Sequence, residues 1–210
     1  MLRSRPVLGW LLGALALVLS AGVEAADPPR RILVGFSQDT LANDWRAAQA
    51  TDLRRELARF PNVELVVTDG KGSTAQQILD IEDLIARKVD VLVTSPRDRA
   101  AMTPVVSRAF RAGIPVVLLT RLIESEDYTT FISPDDAAIG REAARHLAAV
   151  LKGRGDVLML EGVPTATTAQ LRTRGFLEEL KAHPGLRLVG VKTANYLRND
   201  AIRAMEEVFH

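Results

Sequence analysis

The chain of 210 residues is long enough for one ordinary domain or two small ones, and its 47% hydrophobic and 25% charged residues make a globular composition. Its 27 basic and 26 acidic residues are interspersed and leave a formal net charge of +1, which excludes a basic face of the kind that neutralises a phosphate backbone, so nucleic acid is not an expected partner. Cysteine is absent, which excludes disulfides, thiolate metal sites and a cysteine nucleophile.

Reading from the N-terminus, Arg3 and Arg5 precede an apolar run from Val7 to Leu19, and small residues follow, ending in Val23-Glu24-Ala25. This is the charged, apolar and A-x-A-like order of a secretory signal. A membrane-crossing helix needs about 20 consecutive apolar residues, more than this run provides. Residues 1–25 are therefore read as a cleaved export signal. No second apolar run follows, so the mature chain is expected to be soluble, in the periplasm, and without direct membrane insertion.

Beyond the polar linker "ADPPRR", short β-branched runs occur at 31–36, 63–68, 90–95, 115–119, 156–161 and 186–191. Amphipathic stretches separate them. In "STAQQILDIEDLIARK", Ile78, Ile81, Leu84 and Ile85 fall at helical spacing, and Ser73 or Thr74 is placed to cap the start. Strands apolar on both faces and joined by such helices indicate parallel βαβ units, because a parallel pair requires a crossover and the crossover helix covers the sheet. The fold class is α/β. Four βα units precede residues 129–136, where strand-like "TTFIS" leads into "PDD" and a long helical pattern from "AAIGREAARHLAAVLKG", and two units follow. The expected division is an N-terminal lobe over 26–132 and a partial second lobe over 133–210. The second set holds few strands and the sequence stops inside a helical pattern, so the chain is expected to be C-terminally incomplete.

"DGKGST" (69–74) lacks the Ser or Thr that a Walker loop needs after its lysine and is read as a glycine-rich strand-to-helix turn. His146, His183 and His210 lie too far apart for metal ligation. No G-x-S-x-G elbow or Ser-His-Asp set is present, so no enzyme activity and no cofactor or metal is expected. What remains is a group of loops at the carboxyl ends of the strands, where α/β sheets bind ligands. The first carries Asn43, Asp44, Trp45 and Arg46; the third is "SPRDRA"; the fourth places Thr120 and Arg121 after a buried strand; the fifth delivers Arg172 and Arg174. An aromatic face with several guanidinium forks suits a sugar, whose C–H face stacks on a ring and whose vicinal hydroxyls accept paired hydrogen bonds. The alternatives are structural. Trp45 is also suited to cap the first helix against the sheet, and Arg121 and Arg172 to pair with nearby carboxylates such as Glu124 and Glu178.

From about residue 31 onward the chain resembles the periplasmic sugar-binding proteins of ABC importers, the type I fold that includes ribose- and galactofuranose-binding proteins. The likeness rests on "VGFSQ" with "NDWRAA", "AGIPVVLLTR", "ISPDDAAIG", and "EG" followed by "LRTRGF". It implies two three-layer α/β lobes joined by a hinge, closing on a monosaccharide in the cleft and then docking on a membrane ABC permease. Asn43, Trp45, Arg46, Thr120 and Arg121 would contribute from the first lobe, and Arg172 and Tyr196 from the second. The family pattern has an aspartate where this chain has Thr120, and it continues beyond residue 210. The resemblance is equally compatible with a periplasmic sensor that reports to a histidine kinase or chemoreceptor. A lactose-repressor-like regulator would need a helix-turn-helix where this chain has its export signal.

Overall fold

The computed structural model describes residues 30–209; the expected export signal lies outside them. In chain order the elements are β1 (Ile32–Gln38), α1 (Asp44–Leu57), β2 (Val63–Asp69), α2 (Thr74–Ala86), β3 (Val91–Ser95), α3 (Arg99–Arg111), β4 (Val116–Leu119), β5 (Thr130–Ile132), α4 (Asp136–Val150), β6 (Gly155–Glu161), α5 (Thr167–Leu180), β7 (Leu186–Thr193) and α6 (Arg198–Phe209). Five strands form one sheet in the order β2-β1-β3-β4-β5, and β6 and β7 form a second. Every pairing is parallel.

Period-two alternation in the strands builds two cores on the first sheet. Val34, Phe36 and Val93 point toward α1 with Ala50. Leu92, Val116 and Leu118 point the other way, onto Ile81 and Leu84 of α2 and Met102, Val105 and Val106 of α3. Fully burying each of these large side chains stabilises the fold by roughly 1.5–3 kcal/mol. Gly35 in β1 leaves room for that second layer, because a Cβ there would lie 3.0 Å from the Leu84 methyls.

Helix starts follow local chemistry. The side chains of Asn43, Ser73, Asp98 and Asp135 each accept a backbone N–H at the start of α1, α2, α3 and α4, so the expected cap of the second helix is Ser73. "DGKGST" is the tight strand-to-helix turn expected of it, with Lys71 and Gly72 at positive φ.

The region after β4 departs from the expected fourth βα unit. No helix follows β4. The chain turns at Thr120 (φ 62°), runs through a loop that inserts Ile123 into the core beside α3, and returns to pair β5 alongside β4. A three-residue strand at 130–132 thus joins the first sheet, and the long helix α4 belongs with the second. There α4 and α5 cover β6 through Ala144, Val157 and Phe176. These two helices meet backbone to backbone: a Cβ on Gly140 would lie 2.1 Å from the Arg172 carbonyl oxygen, and one on Gly175 2.1 Å from that of Ala137.

Candidate functional site

The carboxyl ends of β1, β3 and β4 lie side by side in one sheet, so the loops that leave them converge. The N-cap bond from the Arg46 backbone N–H to Asn43 Oδ1 (2.9 Å) starts α1 one turn before Arg46 and aims its guanidinium inward. Arg46 is 4% exposed. Its Nη1 donates to Ser95 Oγ at 2.8 Å, to Gln49 Oε1 at 3.2 Å and to Thr120 Oγ1 at 3.3 Å, tying together loops from three strands.

Thr120 is a β-branched residue in the left-handed region, a conformation that costs energy and persists only where the surroundings hold it. Here they do. Its N–H donates to the Ile132 carbonyl at 2.7 Å, and its carbonyl accepts from Thr168 Oγ1 at 2.7 Å. The turn delivers Arg121, 1% exposed, whose Nη1 donates to Asp39 Oδ2 at 2.7 Å and to the Pro96 carbonyl at 3.4 Å. Arg97 approaches the same carboxylate oxygen at 3.7 Å, and Arg46 Nε lies 3.4 Å from Asp39 Oδ1. Burial lowers the Arg46 pKa to about 10; neighbouring Arg121 pushes in the same direction and Asp39 opposes both. The group stays protonated at neutral pH.

The second sheet contributes from β6 and β7. Asn195 and Tyr196 both adopt positive φ after β7, and this turn lays the Tyr196 ring onto Gly162 at the end of β6; a Cβ on Gly162 would sit 1.9 Å from the ring. The Arg121 guanidinium lies over the ring at 5.9 Å from its centroid, a cation–π distance. Asn43 Nδ2 donates to the Tyr196 carbonyl at 3.4 Å, across from one sheet to the other. Burial raises the Tyr196 phenol pKa, partly offset by Arg172 and Arg121. Arg172, on the inner turn of α5, donates from Nε to Asp136 Oδ1 at 2.8 Å, and the close approach of α4 and α5 sets that distance. The two sheets are linked further by the bond of the Leu122 N–H to Thr167 Oγ1 (2.9 Å) and of the Arg99 N–H to the Thr165 carbonyl (3.0 Å).

Of the residues singled out in the sequence, Asn43, Arg46, Thr120, Arg121 and Tyr196 are joined by these contacts into one cluster, and Arg172 stands close enough to act on the Tyr196 phenol. Trp45 is 65% exposed and belongs to neither core of the first sheet, so it does not pin α1 against the strands. The carboxylates suggested as structural partners are not the ones used. Arg121 pairs with Asp39 and Arg172 with Asp136, whereas Glu178 faces Arg174 at 3.8 Å. Sequence reasoning singles out neither Asp39 nor Asp136, and marks Arg97 only as part of the loop "SPRDRA". Asp39 carried a usable signal, a charge directly after an apolar strand; Asp136 was hidden inside a helix-start pattern.

Among the described residues no group of His, Asp or Glu is arranged to hold a metal ion, and no helix is long and apolar enough to cross a membrane. A separate open groove of about 490 Å³, lined by Glu161, Gln170, Arg174 and Lys181 among others, contains none of the clustered residues.

Residues 34–210 match the family described as periplasmic binding protein domain. The chain belongs to this family. Among curated relatives, the ribose import binding protein RbsB of Bacillus subtilis (strain 168) is 29% identical over 179 residues, covering 85% of this chain and 58% of its own length. The galactofuranose-binding protein YtfQ of Escherichia coli (strain K12) is 27% identical over 201 residues, covering 94% and 63%. A solved structure described as the fructose-binding periplasmic domain of a hybrid two-component system superposes with a TM-score of 0.82 at 29% identity, covering 85% of this chain and 59% of that one. The chain thus spans about 60% of the length of these periplasmic binding proteins, and the superposition carries the same α/β architecture with parallel sheets.

Proposed function

We propose that the chain is the ligand-capturing part of an exported protein that binds a monosaccharide between its two α/β lobes, 26–132 and 133–210, for delivery to an ABC permease. The observation that carries this reading is the convergence of Arg46 and Arg121 from one sheet with Arg172 and Tyr196 from the other. Side chains from two lobes that face one another give a ligand more contacts in the closed form than in the open one. Binding therefore shifts the population toward closure. Guanidinium forks address vicinal hydroxyls, and the exposed Trp45 ring remains free to offer an apolar face. The names of the relatives, with ribose and galactofuranose among their ligands, agree with a sugar of this size. The export pattern at residues 1–25 agrees with a periplasmic location.

A sensor that signals to a kinase is the second reading, supported by the two-component domain among the structural neighbours. Both use the same cleft. In calorimetric titration of the full-length protein against a panel of pentoses and hexoses, at least one is expected to bind. Arg121→Ala and Arg172→Ala should each weaken that binding by about 2 kcal/mol or more, the range for a hydrogen bond to a charged group. Unchanged affinity in both variants removes these residues from the site. Co-purification with a permease, as opposed to a kinase, separates import from sensing.

A further inference from the structure

Asp39 follows β1 directly and is 1% exposed. Three guanidinium groups face it: Arg121 at 2.7 Å, Arg46 at 3.4 Å and Arg97 at 3.7 Å. Among the described residues no other carboxylate lies within ion-pairing distance of any of the three. The hydroxyl of Thr120, directly after β4, accepts from Arg46 at 3.3 Å but carries no charge. Two buried cations without a counter-charge would be costly and would repel one another. We infer that Asp39 is the positioning residue of the cleft, the carboxylate that balances Arg46 and Arg121 and holds their forks at the angle a polyhydroxylated ligand meets. This rests on the sugar-binding reading given above.

The backbone around Asp39 is built to keep that carboxylate still. Its N–H donates to Gln38 Oε1 at 3.1 Å, and its carbonyl accepts from the Gly72 N–H at 2.8 Å. Gly70 allows that turn to come close, since a Cβ there would lie 3.0 Å from the Asp39 carbonyl oxygen. These contacts use the main chain and leave the side chain for the arginines. Within the ion pair, Asp39 Oδ1 and Arg121 Nε have no hydrogen-bond partner, so one acceptor and one donor remain unspent. The lowered Arg46 pKa, caused first by burial and next by Arg121, agrees with a cation that depends on Asp39 for its place.

The test is a charge-relocation cycle in the full-length protein with Asp39→Asn, Thr120→Asp and the double variant. Affinity for D-ribose and for D-fructose is measured by calorimetry, and the urea midpoint by circular dichroism. Asp39→Asn should weaken binding at least about ten-fold, as expected when a buried charge loses its partner, and lower the midpoint. Thr120→Asp should recover most of both losses in the Asp39→Asn background, because it returns a carboxylate beside Arg46. In the wild-type background it should recover nothing and, by repulsion from Asp39, should lower the midpoint. Equal effects of Thr120→Asp in both backgrounds, or unchanged affinity in Asp39→Asn, would overturn the inference and reduce Asp39 to a loop residue. If the unmodified protein binds neither sugar, the functional reading fails for these probes and the urea cycle decides alone. Non-additive midpoints support the role of Asp39, and additive ones reject it.

Discussion

Tyr196 and Gly162 show how one small side chain places a large one. The ring lies where a Cβ on Gly162 would be, so Gly162→Ala must expel it from contact with Arg121. Burial of the neutral phenol raises its pKa above the usual 10.0. The difference between the ultraviolet titrations of the parent and Tyr196→Phe should therefore have its midpoint above 10.0, and in Gly162→Ala that midpoint should fall back toward the ordinary value. The sign for stability follows. A group whose folded pKa is raised contributes stability below its unfolded value, and that contribution is lost as pH rises beyond it. An unshifted midpoint in the parent would mean that the ring stands in water. Thr120 is the other telling residue. The family pattern called for an ionised acceptor there, and the sequence put a hydroxyl in its place; the nearby charge comes instead from Asp39, contributed by a different strand.

Among the elements, the α4–α5 pair matters most to the geometry of the second half of the site. Its two glycines allow main chains to touch, and that contact brings Asp136 of α4 within 2.8 Å of Arg172 on α5. A single methyl at Gly175 meets a carbonyl oxygen that cannot move without its helix. Gly175→Ala should therefore destabilise the fold by roughly 1–3 kcal/mol, the usual cost of overpacking, as read from urea denaturation, and should weaken sugar binding through displacement of Arg172. A variant with the stability of the parent would show that the helices sit farther apart. The pattern of glycines in "AAIGREAA" and "LRTRGF" was visible in the sequence, but its meaning was not, because close approach is a property of two helices and neither segment contains its partner.

For the molecule as a whole, the two sheets differ in how well they are covered. The first has helices on both faces and buries Phe36, Leu92, Val116 and Leu118 completely, whereas Leu160, Val189 and Val191 of the second remain at least 40% exposed. Local opening follows burial and contact density. In hydrogen–deuterium exchange on residues 30–210, amides of β1 and β3 should exchange slowest and those of β6 and β7 markedly faster. Equal protection in both sheets would contradict this ordering. The exposed valines also predict that this segment self-associates in a concentration-dependent manner, which sedimentation would detect.

What could be read from the chain alone was everything that local chemistry enforces. The alternation of β-branched runs with amphipathic stretches announced parallel α/β layers, and caps such as Ser73 and the turn in "DGKGST" follow from short-range hydrogen bonding. The clustering of Arg46 and Arg121 was legible because parallel topology sends all strand ends to one side. The strand at "TTFIS" was legible as well, but its place beside β4 and the strained Thr120 turn were not: both are held by bonds to residues far away in sequence, so no local preference encodes them. The pairing of Arg121 with Asp39, 82 positions apart, and of Arg172 with Asp136 was equally out of reach. An ion pair in a folded chain is selected by proximity and shared burial, and both arise only after the sheets have assembled.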